Sequence, residues 1–442
     1  MSARRSFEFP YVEQFGAVSG GLPGAAQPWL AALRDDAAAR LRKHGLPSAR
    51  VEEWKYTSLA SLAEAGFAPV GAPADAGTLP AVDHLGGMPA HRLVFVDGRL
   101  DAARSYRGAL PEGVTLVSLA GALDAGESWL EDYLGRIAPL NGNALVSVNT
   151  AFAGDGCVLR LAPRAHLSDP VHVVSVASGA SQASAFHPRL LVVAGAGAAA
   201  TLVESHVGAA GAGAYWTNPL AEISLGEGAR LNHYRIQADG PQGFHLSAIR
   251  ARLAAQSRYD NVLLSTGAAL SRNEIEVDFD GPGGECRIAS GALMRGHQHA
   301  DTTILVDHAH PECTSRQLFK GVLDDSAHGV FQGKIVVRPD AQKTDGHQLS
   351  RALLLSDKAE IDTKPELEIF ADDVKCSHGA TVGELDDEAL FYFRSRGIDE
   401  ERARHMLIEA FFDEVVALVE IGPLRDAMTR AVADWLGTGE QV

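Results

Sequence analysis

Thiols are scarce in this chain: four cysteines among 442 residues. Cys157, Cys286, Cys313 and Cys376 come no closer than 313 − 286 = 27 residues, so no Cys-x-x-Cys, zinc-ribbon or ferredoxin spacing exists. A cluster held by local thiolate motifs of this chain alone is excluded, and reduced thiols in a reducing compartment are expected. Positive charge is also short. Lys+Arg 39 against Asp+Glu 56 gives 39 − 56 = −17, which leaves no basic field for a phosphate backbone and no nucleic-acid partner. No run of about 18 apolar residues occurs, so no membrane span is expected. Met1 to Pro10 carries Arg4 and Arg5 but no apolar stretch behind them, and a cytoplasmic protein is the expectation.

Several catalytic signatures are missing as well. Gly329-Val-Phe-Gln-Gly333-Lys334-Ile335 has three residues between its glycines where a phosphate loop needs four, and Ile where Ser or Thr must reach magnesium. Lys334 therefore reads as a strand or turn lysine, and the chain is expected to bind no nucleotide. No Gly-x-Ser-x-Gly elbow is present. The acidic pairs Asp324-Asp325 and Asp372-Asp373 read as solvated turns.

What is present falls into three stretches, expected at 1–150, 151–385 and 386–442. The first is mostly helical. Pro28 suits a first helical position, Leu30, Leu33, Ala37 and Leu41 recur at helical spacing, and Gly45 with Pro47 ends the helix near His44. Arg50 to Thr57 mixes aromatics with charge, either a partner contact or a helix edge burying Trp54. Ala65 to Ala81 is rich in Ala, Gly and Pro and reads as linker.

The middle stretch changes character. Leu190–Ala194, Ala198–Val203, Ala221–Leu225, Arg230–Ile236, Glu274–Phe279 and Lys334–Val337 are short apolar runs bounded by Gly, Asp and Asn turns, hence strands. Their pairs recur irregularly every ~20–25 residues, as in a solenoid, although a β-sandwich gives similar run lengths. The end is helical. Asp386 can cap one helix closed by Gly397, Asp399 starts a second with a wide apolar band from Ala403 to Val419, and Leu424 to Trp435 mark a third. This terminal unit either docks a partner or caps the β region.

Two constellations could carry chemistry. Cys376 and His378 stand at i and i+2, so on a strand both face one way and could offer sulfur and nitrogen to one metal; the plain alternative is a buried thiol beside a solvated ring. His297, His299, His308 and His310 form two further i, i+2 pairs, which invite a cupin-like metal-dependent enzyme, or else line a solvated sheet face. His328 and His347 read as turn residues.

Phe331–Ile335, Gln342–Asp345, Leu353–Ser356 running into Ala359–Pro365, Leu367–Ile369, Asp372–Gly383 and Phe391–Gly397 together resemble the SufB/SufD family of iron–sulfur cluster assembly scaffolds. The similarity is densest from about 315 to 412 and reaches back to Glu52–Thr57. Within the family, Lys375–Thr381 is similar to the SufD type, and the stretch Gln348–Asp357 lacks the cysteine of the SufB type. The resemblance implies a mainly β fold: a right-handed parallel β-helix between helical ends. It also implies a non-catalytic role beside a SufB-like subunit and a SufC-like ABC-type ATPase, and it leaves open a homodimer of the isolated chain. His378 would be an iron or cluster ligand and Cys376 an auxiliary one, at a transient iron–sulfur cluster shared with the SufB-like partner. For the ATPase, Phe391, Tyr392, Arg394 and Arg396 offer an aromatic and arginine-rich contact surface.

Overall fold

The structure is a computed structural model that describes residues 6–7, 9–70, 79–179 and 183–437. Residues 1–5 of the N-terminal stretch and 71–78 of the expected linker lie outside the described residues. Each of the six expected strands is found, most of them longer. Strands alternate between two sheets. One contains, in spatial order, Gly156–Leu161, Arg189–Ala194, Leu220–Leu225, Gly243–Leu253, Leu270–Phe279, His299–His308, His328–Val337 and Glu360–Ile369. The other contains Val171–Ala177, Ala199–Gly208, Arg230–Ala238, Arg258–Ser265, Glu285–Met294, Thr314–Leu323, Asp345–Leu354 and Lys375–Gly383. Every pairing between these neighbours is parallel, so the middle stretch is a two-sheet β-solenoid.

The repeat is longer than the sequence spacing suggests. Leu270 pairs with His299 and His299 with His328, so 299 − 270 = 29 and 328 − 299 = 29 residues make one rung. Two ten-residue strands and two tight turns fill that length. The shorter estimate arose because apolar runs mark only the inward half of each strand's residues. Inside, side chains such as Val192, Ile223, Ile275, Ile304 and Phe319 build one continuous apolar interior, each contributing roughly 1.5–3 kcal/mol by leaving water.

The helix Pro28–His44 forms with Pro28 at its first position and Gly45 at φ 65° closing it. It packs against Ala144–Phe152 and, with the turn Glu52–Trp54, covers the outer face of the first sheet. Trp54 is buried, as a core residue would be, and the Arg272 guanidinium sits 3.9 Å over its ring. Two strands of the N-terminal stretch start the solenoid: His91–Val96 pairs parallel with Val171–Ala177, and Val114–Ser118 antiparallel with Gly156–Leu161. At the other end, Glu400–Val416 and Gly422–Leu436 lay Ile408, Phe412, Val415, Leu424 and Met428 on the outer face of the second sheet. The wide apolar band is therefore mainly a cap. Lys320, fully buried, fastens it by donating to the Phe411 carbonyl at 2.6 Å and pairing with Glu414 at 2.8 Å.

Burial holds several histidines neutral. It pushes His172 and His187 down to about 3 and His84, His299 and His308 down to about 4. Between those values and an unfolded value near 6.5, the unfolded chain binds protons that the folded chain refuses, so stability falls as pH falls through that window. The slope is about 1.4 kcal/mol per histidine per pH unit. Asp278, raised to about 6 by burial and by Glu276, opposes them with a single proton. Unfolding free energies from urea titrations are expected to be lower at pH 5 than at pH 7 by an amount on the order of several kcal/mol; equal free energies would contradict the burial of these rings.

Candidate functional site

Cys376 and His378 lie on Lys375–Gly383, the last strand of the second sheet. Its partner is Asp345–Leu354, with Cys376 against Gly346 and His378 against Gln348. Its other edge pairs with no described strand, and the same holds for Glu360–Ile369 in the facing sheet. The solenoid thus ends on two open edges whose free N–H and C=O groups are templates for another chain. Apolar side chains stand exposed there: Ile369 at 40%, Phe370 at 59% and Val382 at 48%.

The two candidate ligands share the inward face, as an i, i+2 pair on a strand must. Their surroundings differ. Cys376 is half-buried against the cluster of Ile335, Val337, Ala341 and Ala371, and this burial pushes its thiol up. A neutral thiol results, to be ionised only by a cation brought to it. His378 is exposed, and its ring makes no hydrogen bond to another described residue. One soft and one borderline donor therefore face the open end. Among the described residues no group of three or more His, Cys, Asp and Glu side chains is placed to hold a metal.

A cavity of about 640 Å³ lies elsewhere, between the helix Pro28–His44 and the first sheet. Arg250 and Arg272 in its lining both pair with Glu274, and it does not reach Cys376 or His378.

Comparison with known proteins places the chain in a family. Residues 176–411 match the family described as SUF system FeS cluster assembly, SufBD core domain, and residues 6–173 match the SufBD protein N-terminal region. The chain belongs to the SufBD family. An iron–sulfur cluster assembly SufBD family protein of Synechocystis is 34% identical over 411 residues, 90% of each chain. The iron–sulfur cluster assembly protein SufD of Escherichia coli is 30% identical over 394 residues, 88% of this chain and 90% of that one. The chloroplastic protein ABCI7 of Arabidopsis thaliana is 30% identical over 434 residues, 96% and 90%. This SufBD protein accordingly acts in iron–sulfur cluster assembly.

The histidine pairs do not converge in this SufBD chain. His299 and His308 begin and end one strand, about 30 Å apart at ~3.3 Å per residue, and His297 and His310 lie in the turns beyond them. His299 contacts Thr57 at 2.9 Å and His308 contacts Ser315 at 2.9 Å, so both rings serve packing. His328 opens a strand and meets Asp362 at 2.8 Å. His347, read as a turn residue because Gly346 precedes it, sits inside Asp345–Leu354 and reaches the Ser377 hydroxyl at 2.5 Å. That link beside the Cys376–His378 pair was missed from sequence. A repeat of about 30 residues, 377 − 347, was the signal for it. Lys334 is a strand lysine paired with Glu368 at 2.6 Å.

Sequence reasoning also missed a polar interior. Glu204 is fully buried and meets His233 at 2.6 Å and His206 at 3.4 Å. Burial alone would raise its carboxyl, but hydrogen bonds and charge from the two imidazoles outweigh that and hold it well below the usual range.

Of the expected partner contacts, Phe391 and Tyr392 are 74% and 57% exposed on the helix Asp387–Ser395, which buries only Leu390. Arg394 pairs with Glu400 at 3.2 Å, and the Arg396 guanidinium lies 5.2 Å from the centre of the Tyr392 ring. Asp386 caps the helix, donors being the Glu388 and Ala389 amides. No helix of the described chain is long and apolar enough to cross a membrane.

Proposed function

We propose that the chain is a non-catalytic scaffold subunit that forms a transient iron–sulfur cluster site jointly with a SufB-like subunit, in a cytoplasmic complex driven by a SufC-like ATPase. The observation that carries this reading is the position of Cys376 and His378 on the open-edged last strand. Two donors at an unpaired sheet edge make half a site, and a partner strand laid on that edge brings the other half. His378 is the principal ligand, being exposed and unpartnered; Cys376 is auxiliary, since its half-buried thiol must first lose a proton. Mixed nitrogen and sulfur ligation from two chains suits a cluster that must be built and then released. The cluster is cargo here, and the residues 151–385 act as the platform for it. The isolated chain has the same open edges to offer a second copy of itself. The test is anaerobic reconstitution with iron and sulfide: the complex with the SufB-like subunit is expected to build clusters and the isolated chain to build none. Clusters of equal yield on the isolated chain would sink the shared-site reading.

The segment 386–442 is proposed to dock the ATPase through Asp387–Ser395, with Phe391, Tyr392, Arg394 and Arg396 as contacts. Support comes from division of labour among the helices: the two later ones are spent on capping the sheet, whereas this one leaves two aromatics in water. Aromatic anchors commonly carry 2 kcal/mol or more of binding, so Phe391→Ala is expected to weaken ATPase binding by about 30-fold. Calorimetric titration of the ATPase into the chain checks this, and the melting temperature should not move because Phe391 contributes nothing to the core.

A further inference from the structure

His299 and His328 open adjacent rungs of the first sheet and are register partners. Their ring centres lie 4.7 Å apart with the planes at 84°. The hydrogen bonds around them fix where the protons sit. The Thr57 hydroxyl donates its one proton to the Asp301 carboxylate at 2.5 Å, so toward His299 it can only accept, and the 2.9 Å contact is a donation from Nε2–H. His328 meets the Asp362 carboxylate at 2.8 Å, again through Nε2, and a carboxylate only accepts. Burial keeps His299 neutral. In the neutral form each ring therefore carries its proton on Nε2, and each Nδ1 is a lone pair with no partner among the described residues.

Proteins present imidazole to metals in this way: one nitrogen donates to an oxygen that sets the tautomer and the ring orientation, and the other is left to coordinate. The spacing agrees, since two ring nitrogens about 2.1 Å from one ion put the ring centres about 5 Å apart. Glu360 takes the next place in the same register column, exposed and with no side-chain partner among the described residues. The other edge-on pair, His206 and His245 at 4.9 Å, is sealed inside the solenoid, whereas His328 keeps 30% of its side chain in solvent. We propose that His299 and His328 bind a divalent transition-metal ion through their Nδ1 atoms, with Glu360 turning in from the next rung and water completing the coordination. Thr57 and Asp362 are positioning residues. Nitrogen and oxygen donors without sulfur suit zinc or ferrous iron. The site lies on the first sheet and within one chain, apart from Cys376 and His378 on the second, and it does not depend on the shared cluster.

Zinc titration of the full chain against a chromophoric chelator tests this, with Cys376→Ser and His378→Ala both introduced so that those donors cannot contribute. One ion per chain is expected at micromolar affinity or tighter, and X-ray absorption of the zinc-loaded protein should show imidazole nitrogen and oxygen neighbours and no sulfur. His299→Ala or His328→Ala, added singly, should weaken binding at least about tenfold, and Asp362→Ala, which touches no metal, about 10–100-fold by freeing the His328 tautomer. Zinc should raise the melting temperature of the chain and not that of its His328→Ala variant, whose zinc-free melting temperature should match the parent because that ring is partly exposed. Binding only at millimolar zinc, sulfur among the neighbours, or unchanged affinity in both histidine variants overturns the proposal.

Discussion

Replacing His378 by Ala in the reconstituted complex is expected to lower the rate of cluster assembly at least about tenfold, the smaller end of what losing even an outer partner of a metal ligand costs. The loss should come without unfolding. His378 is exposed and its ring holds no other described residue in place, so its removal should change stability by no more than ~0.5 kcal/mol. Cys376→Ser should have a smaller effect on assembly, because the thiol is half-buried against the cluster of Ile335, Val337 and Ala341 and is held protonated until a cation approaches. The double variant separates two ideas. If both donors hold one cluster, the double loss falls short of the product of the single losses; if the two act at separate steps, the losses multiply. Absorbance of the assembled cluster, followed anaerobically against time, gives both numbers. Assembly by His378→Ala at the parent rate would remove the central claim of the shared site.

The Cys376–His378 pair was legible in sequence because strand periodicity alone puts i and i+2 on one face. So were the helix ends, since Asp386, Asp399 and Gly45 act through local hydrogen bonds and dihedral angles that need no tertiary context. The rung length was not. Inward positions of this solenoid are not uniformly apolar: Glu204, His233, Gln317 and Gln348 point inside, so hydrophobic spacing under-reports the repeat. For the same reason His347 passed for a turn residue, although it is the register neighbour of Ser377. Nor could sequence separate capping from docking in the C-terminal helices. Phe412 and Phe391 are the same residue type at similar helical positions, but one enters the space above Gly291 and the other stays in water.

The largest stability effect is expected at Arg272, where the N-terminal turn is fastened to the solenoid. Its guanidinium is fully buried and reaches in three directions: to Glu274 at 3.0 Å and to Asp301 on its own sheet, to the Glu53 carbonyl at 2.9 Å, and flat over Trp54. Thr57 adds a hydrogen bond to Asp301 at 2.5 Å, and Lys364 on the last rung pairs with Glu52 at 2.6 Å, so the same turn is tied down along the sheet toward the open end. Burial opposes the charge on Arg272, but Asp301 and Glu274 more than compensate and raise its pKa. Arg272→Leu would keep much of the packing on Trp54 while leaving the Asp301 carboxylate buried without its cation. Breaking a buried pair from one side typically costs about 3–5 kcal/mol, a large part of a total stability of roughly 5–15 kcal/mol. Urea unfolding should show that loss, and limited proteolysis should cut near Trp54 first, because the turn loses its carbonyl bond and the cation over its ring. Adding Asp301→Leu to Arg272→Leu should recover stability, since the stranded carboxylate goes with its partner. A single variant as stable as the parent would mean that the turn is held by apolar contact alone and that the buried charges contribute nothing to fastening it.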